Sequence, residues 1–182
     1  MEHLYYLVAQ LPAISVNDDS SQKLPLTVGY FKDLCSRFMS EKSAKLAEKL
    51  TLEPPVEPVS TGSVFLDEWY EKERCLRLAL AQIRALKMKK DIKDLPSASD
   101  GESIQAARTA TGMDSPLAAE QYLNQYRLGI LDRISPLDNF SVDAVYSYGL
   151  KLMLAERMKK FNKDEGLSSY HKIYDEILGE KK

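Results

Sequence analysis

An all-α fold, built of long antiparallel helices in one or two packed helical lobes, is what this sequence predicts, and three observations predict it. Apolar residues recur at three- and four-residue spacing through nearly every segment between the loops. Ser or Thr stands immediately ahead of most of these runs, where a helix needs an acceptor for its first free N–H groups. No run alternates apolar and polar residues as a half-buried strand requires.

The elements follow in chain order. The opening, Leu4-Tyr5-Tyr6-Leu7-Val8-Ala9-Gln10, is apolar and aromatic and stops at Leu11-Pro12. Free termini are usually polar and frayed, so a segment this apolar is expected to be buried in its own fold or in a partner. The simplest placement turns Tyr5 and Tyr6 inward, completing the core beside the helix that starts at Val64. Thr27 caps a helix whose apolar positions are Val28, Phe31, Leu34, Cys35 and Phe38, and Ser40 caps a shorter one with Ala44, Leu46, Ala47 and Leu50. Residues 52–63 contain Pro54-Pro55, Pro58 and Gly62 and read as a surface connector.

Ser63 caps the longest pattern, Val64 to about Lys90, roughly 40 Å at 1.5 Å per residue. Phe65, Trp69, Leu76, Ala79, Leu80, Ile83 and Leu86 share one sector of its wheel, while Asp67, Glu71, Arg74, Arg77 and Arg84 fall outside it. The polar break at residues 94–101 is the place for a hinge, so that a single domain over 1–182 would divide into sub-lobes 1–94 and 102–182 joined by 95–101. Beyond it lie a weak helix from Ile104 to about Thr111, ended by Gly112, and a strong one opened by Asp114-Ser115-Pro116 and closed before Ser135-Pro136. Ser141 caps a further long helix that turns basic at Arg157, Lys159 and Lys160. A final helix, about Asp164 to Leu178, carries Leu167, Tyr170, Ile173, Tyr174 and Ile177 on one side. The stretches Leu76–Gln82 and Leu150–Glu156 are alike, as a repeated lobe or two similar Leu/Ala helices would make them.

Composition narrows the function classes. With 182 residues, 44% hydrophobic and 29% charged, the chain is long enough to build a core without staples. Its 25 basic and 27 acidic residues nearly cancel, so no global field draws it to nucleic acid or anionic lipid. Cys35 and Cys75 are far apart and outside any paired-ligand motif, which fits buried thiols in a reducing, cytoplasmic setting. The start has no basic region ahead of its apolar run, and no charge-free stretch approaches the roughly 20 residues a bilayer span needs, so neither a signal peptide nor a span is expected.

Chemical motifs are sparse. His3 and His171 lack metal-ligand spacing, the glycines Gly62, Gly101 and Gly112 form no phosphate cradle, and no nucleophile elbow occurs. Neither a metal nor a cofactor nor catalysis is expected. The acid pairs Asp67/Glu68 and Glu71/Glu73 read as solvated helix surface. Candidate partner-binding residues are Tyr5 and Tyr6, for their amphipathic rings, and the basic series Arg74, Arg77 and Arg84, which would suit an acidic partner or a nucleic-acid backbone although Glu73 with Arg77 neutralises part of it.

Several segments in order carry a resemblance. Tyr5-Tyr6-Leu7-Val8-Ala9-Gln10-Leu11-Pro12, Leu34-Cys35-Ser36-Arg37-Phe38-Met39-Ser40, Trp69-Tyr70 followed by Leu78-Ala79-Leu80-Ala81-Gln82-Ile83-Arg84-Ala85, and Asp114-Ser115-Pro116-Leu117 together resemble a small uncharacterised family of bacterial proteins encoded among the genes of V-type ATPases. That family is in turn distantly similar to the all-helical adaptor of such ATPases that links the central stalk to the membrane rotor ring. The resemblance implies a non-catalytic component or assembly factor, with stalk or rotor-ring subunits as partners and a peripheral place at the membrane through that complex. The alternative is a stand-alone helical protein–protein interaction module.

Overall fold

The structure is a computed structural model and describes residues 4–14, 24–90, 96, 98–160 and 163–179. Its helices are α1 (Tyr5–Gln10), α2 (Val28–Phe38), α3 (Glu41–Glu48), α4 (Val64–Lys87), α5 (Gly101–Gly112), α6 (Pro116–Ile134), α7 (Val142–Lys159) and α8 (Lys163–Leu178). Among the described residues there is no strand, and the fold is all-α.

The caps are set locally. The side chains of Thr27, Ser40, Ser63, Ser115 and Ser141 each accept a hydrogen bond from the backbone N–H three residues on, at Tyr30, Ser43, Leu66, Ala118 and Ala144. Each supplies one of the orphan donors of a first turn with an acceptor, worth about 1 kcal/mol. Ser63 also donates to Asp143 Oδ1 at 2.7 Å, which ties the start of α4 to the start of α7.

Two apolar clusters fill the molecule. The larger gathers Leu7 from α1, Phe31 and Leu34 from α2, Phe65, Leu66 and Trp69 from α4, Ile130 and Leu131 from α6, and Val145, Leu150 and Leu152 from α7. The smaller joins Leu76, Ala79 and Leu80 of α4 to Ala106, Ala107 and Ala110 of α5 and Leu123 of α6. The first half of α4 and the second half of α6 lie in one cluster, and their other halves in the other, so the two helices run antiparallel. Both helices span both clusters, and the boundary between clusters is not that between residues 1–94 and 102–182.

Of the expected hinge, residues 95 and 97 lie outside the described residues. What is described of it follows α4: Gln82 Nε2 donates to Pro96 O at 2.5 Å and Lys72 pairs with Asp100 at 3.2 Å. Asp100 also caps α5, accepting from Ser103 N–H at 3.1 Å. This cap and the alanine face packed on α4 explain why a helix of weak pattern forms and begins at Gly101. Burial pushes the Asp100 carboxyl up, yet hydrogen bonds from Ser103 and Lys72 outweigh it and hold the group below its ordinary value. Its contribution to stability is therefore present at neutral pH and lost as pH falls through that depressed value.

The expectation that Tyr5 and Tyr6 point inward is corrected. Tyr6 is 83% and Tyr5 55% exposed, while Leu4 and Leu7 are buried. A six-residue helix lying on a surface buries one stripe, and here Leu4 and Leu7, three apart, take it. Tyr5 rests its ring on Phe140 with centroids 4.5 Å apart, and Tyr148 Oη donates to Pro12 O at 2.8 Å, which fastens the segment to α7. In α4, Leu86 is exposed at 60% although its wheel position is apolar, because it lies beyond the buried length of the helix.

Two measurements check this packing. In urea denaturation Leu7→Ala should cost about 2–5 kcal/mol, whereas Tyr6→Ala should stay within about 0.5 kcal/mol. A Cβ at Gly149 would lie 2.6 Å from Phe31 Cε1 and 3.0 Å from Leu50 Cδ1, and the fully buried Phe31 ring has nowhere to move. Gly149→Ala should therefore destabilise by about 1–3 kcal/mol, despite its gain in helix propensity.

Candidate functional site

Where the two clusters meet, α4 and α6 are joined by a buried ion pair. Glu73, 1% exposed, accepts from Arg127 Nε at 2.9 Å through Oε2 and from Arg127 Nη2 at 3.0 Å through Oε1. Arg77, one turn along α4, donates its Nε to the same Oε1 at 2.8 Å. Arg127 is itself buried and has Asn124 Oδ1 as a further acceptor at 3.4 Å. One carboxylate thus holds two guanidiniums, leaving the trio with an excess of one positive charge. The planar fork of Arg127 suits a carboxylate edge in a way a lysine cannot. The reading of Glu73 as solvated surface is corrected, because its counter-ion lies 54 residues away in the sequence.

Arg77 and Arg127 form part of the wall of a groove of about 610 Å³ between α4, α6, the last two turns of α7 and the strip Leu50–Glu53. Leu80, Leu123 and Met153 supply its apolar lining, and Arg77, Arg84, Arg127, Arg157 and Lys160 its cations. Three of the cations are engaged: Arg77 and Arg127 by Glu73, and Arg157 by Glu120 Oε2 at 3.2 Å. Arg84 and Lys160 are exposed and have no anionic partner among the described residues. The acids Glu53, Glu120 and Glu156 also line the groove, so its character is mixed, a modest positive excess beside a few apolar side chains.

The basic series expected on α4 is therefore divided. Arg77 and Arg84 line this groove together, whereas Arg74 is turned to the connector, pairing with Glu71 and donating to Pro55 O at 3.3 Å. Tyr5 and Tyr6 are not among the groove's lining residues. Arg127 and Lys160 escaped sequence reasoning, since one lies within an apolar helix and the other in a tail of basic residues; the basic end of α7 was the available signal. Asp67, expected on a solvated face, accepts from Thr61 N–H and Thr61 Oγ1, both at 2.7 Å, and so fixes the end of the connector.

Burial pushes the Cys35 thiol up to about 12, so it is not a thiolate at neutral pH. Among the described residues no group of three His, Cys, Asp or Glu side chains is placed to hold a metal ion, and no helix is long and apolar enough to cross a membrane.

The fold and groove define an all-α protein whose groove carries a modest excess of cations. Residues 101–181 match a family described as protein of unknown function (DUF2764). The matched range runs from α5 through α8 and contains Arg127, Arg157 and Lys160, but not Glu73, Arg77 or Arg84. No curated protein and no solved structure matches the chain.

The ion trio yields a testable consequence. Removing one member of a buried pair leaves an uncompensated charge, so Glu73→Ala should cost about 3–5 kcal/mol in urea denaturation. Glu73→Leu combined with Arg127→Met should recover most of that loss, because it removes the desolvated charges together.

Proposed function

We propose that this chain is a non-catalytic helical interaction protein, a component or assembly factor of a bacterial V-type ATPase, that receives an acidic segment of a central-stalk or rotor-ring subunit in the groove between α4, α6 and α7. The observation that carries the binding role is the pair Arg84 and Lys160, exposed at a groove that also offers the apolar Leu80, Leu123 and Met153, and without a counter-anion among the described residues. The ATPase assignment is supported by the resemblance borne by residues 5–12, 34–40, 69–70, 78–85 and 114–117.

Mechanically the role asks for stiffness and for charge held in register. The helix α4, 24 residues and about 36 Å long, meets the first need. The Glu73 trio meets the second by fixing the guanidiniums of Arg77 and Arg127, so that an incoming acidic side chain meets charges already in place. The apolar lining then adds contact area that salt does not screen.

Affinity capture of the tagged chain from its native cell is the test. It should bring down stalk and catalytic subunits, and Arg84→Glu with Lys160→Glu should reduce their recovery at least tenfold while the melting temperature of the isolated protein holds. Both substitutions are at exposed positions, where the stability cost is usually within about 0.5 kcal/mol. Recovery should also fall as salt is raised. Capture that never yields an ATPase subunit would refute the ATPase reading, and an undiminished yield from the doubly reversed protein would refute the groove.

A further inference from the structure

Among the described residues, helix α8 is the element whose amphipathic face is left open to solvent. All side chains described on it, Gly166 through Leu178, are exposed. Among them Leu167 (54%), Tyr170 (61%), Ile173 (54%), Tyr174 (49%), Ile177 (76%) and Leu178 (59%) occupy an arc of about 140° at 100° per residue. Ser168, Ser169, Lys172, Asp175 and Glu176 lie outside that arc. A lone helix of 16 residues is marginal in water even with good helix formers, and this one includes Gly166, two serines and the β-branched Ile173 and Ile177. Its sequence is that of a helix that packs, and no described residue of its own chain covers the apolar face.

We infer that α8 pairs antiparallel with α8 of a second copy of this chain. Area supports this first. The six apolar side chains present on the order of 600 Å² of largely apolar surface, near the largest patch a monomer ordinarily shows. Two such faces together remove roughly 1,000–1,200 Å² from water, at the lower end of specific interfaces. That size sets a dimer governed by concentration, in the micromolar range as an order of magnitude.

Register supports it as well. Leu167, Tyr170, Tyr174 and Ile177 stand at the a, d, a and d positions of two heptads, with Ile173 and Leu178 flanking them. In an antiparallel pair centred on residue 172, Leu167 faces Ile177 of the other copy and Tyr170 faces Tyr174. This makes two outer aliphatic layers and two inner aromatic ones. Tyr170 and Tyr174 already stack within one helix, with centroids 5.9 Å apart, so the aromatic layers are preformed.

The opposed helix dipoles favour the antiparallel direction.

Sedimentation equilibrium of the purified full chain over a wide concentration range tests this without any other protein, and so separately from the groove's partner. The mass should rise from 20.6 kDa towards twice that value. Tyr174→Glu or Ile177→Glu should weaken association at least tenfold while the melting of the body is unchanged, and Lys172→Glu on the polar face should leave it intact. A mass fixed at the monomer value up to several hundred micromolar would overturn the inference. So would a dimer indifferent to Tyr174→Glu yet lost with Arg84→Glu and Lys160→Glu, which would instead place the groove at the interface. Orientation is read by cross-linking: a Tyr170→Cys chain mixed with a Tyr174→Cys chain should form a mixed disulfide faster than either forms one alone, with the buried Cys35 and Cys75 silent. Faster like-with-like cross-linking would overturn the antiparallel arrangement.

Discussion

The contact between Glu73 and Arg127 constrains everything around it. Two charges withdrawn from water cost several kcal/mol each, and only excellent geometry offsets this. Here the geometry is a two-bond fork, reinforced by Arg77 on the carboxylate and Asn124 on the guanidinium. An apolar contact in that place tolerates sliding, but a fork of this kind has one satisfactory position. It therefore sets the axial register of α4 against α6, and with it the residues of each helix that reach the two apolar clusters. The same register presents Arg77 and Arg127 to the groove, so the element that orders the core also orders the candidate site.

Around that constraint the molecule divides its surfaces by type. The groove is mixed in charge, with most cations paired and two left over, and favours a partner of opposite charge through rate and orientation as much as affinity. The face of α8 is nearly pure hydrocarbon and aromatic ring, and favours its own kind. A chain with both can hold two acidic segments at once if its copies pair through α8. A modest affinity at each groove is then raised by the high effective concentration of the second groove once the first is filled.

Much of this fold was legible in the sequence where the determinants are local. Five caps follow from a Ser or Thr ahead of an apolar run, and the helices they open begin where expected. The connector between α3 and α4 follows from its prolines. What escaped depends on partners distant in sequence. Nothing near Glu73 says that an arginine 54 residues on will bury it, and Arg127 looks like a solvated residue in an apolar stretch. Asp100 reads as a turn residue until α5 is seen to start behind it. For Tyr5 and Tyr6 the aromatic character was plain but the direction was not, because in so short a helix a neighbouring leucine decides which stripe is buried. In α8 the pattern showed amphipathicity correctly, and amphipathicity is silent about what covers the face.

Since α4 and α6 each run through both apolar clusters, neither cluster is a separable unit, and this governs how the molecule comes apart. Opening the smaller one pulls α5 away and loosens the halves of α4 and α6 that carry Leu76, Leu80 and Leu123, just beside the carboxylate and guanidinium. Water reaching those charges weakens the fork that keeps the other halves of the same two helices in place. Disorder begun at either end is thereby passed to the other, and the body made by α1 to α7 melts as one cooperative unit rather than as two lobes in succession.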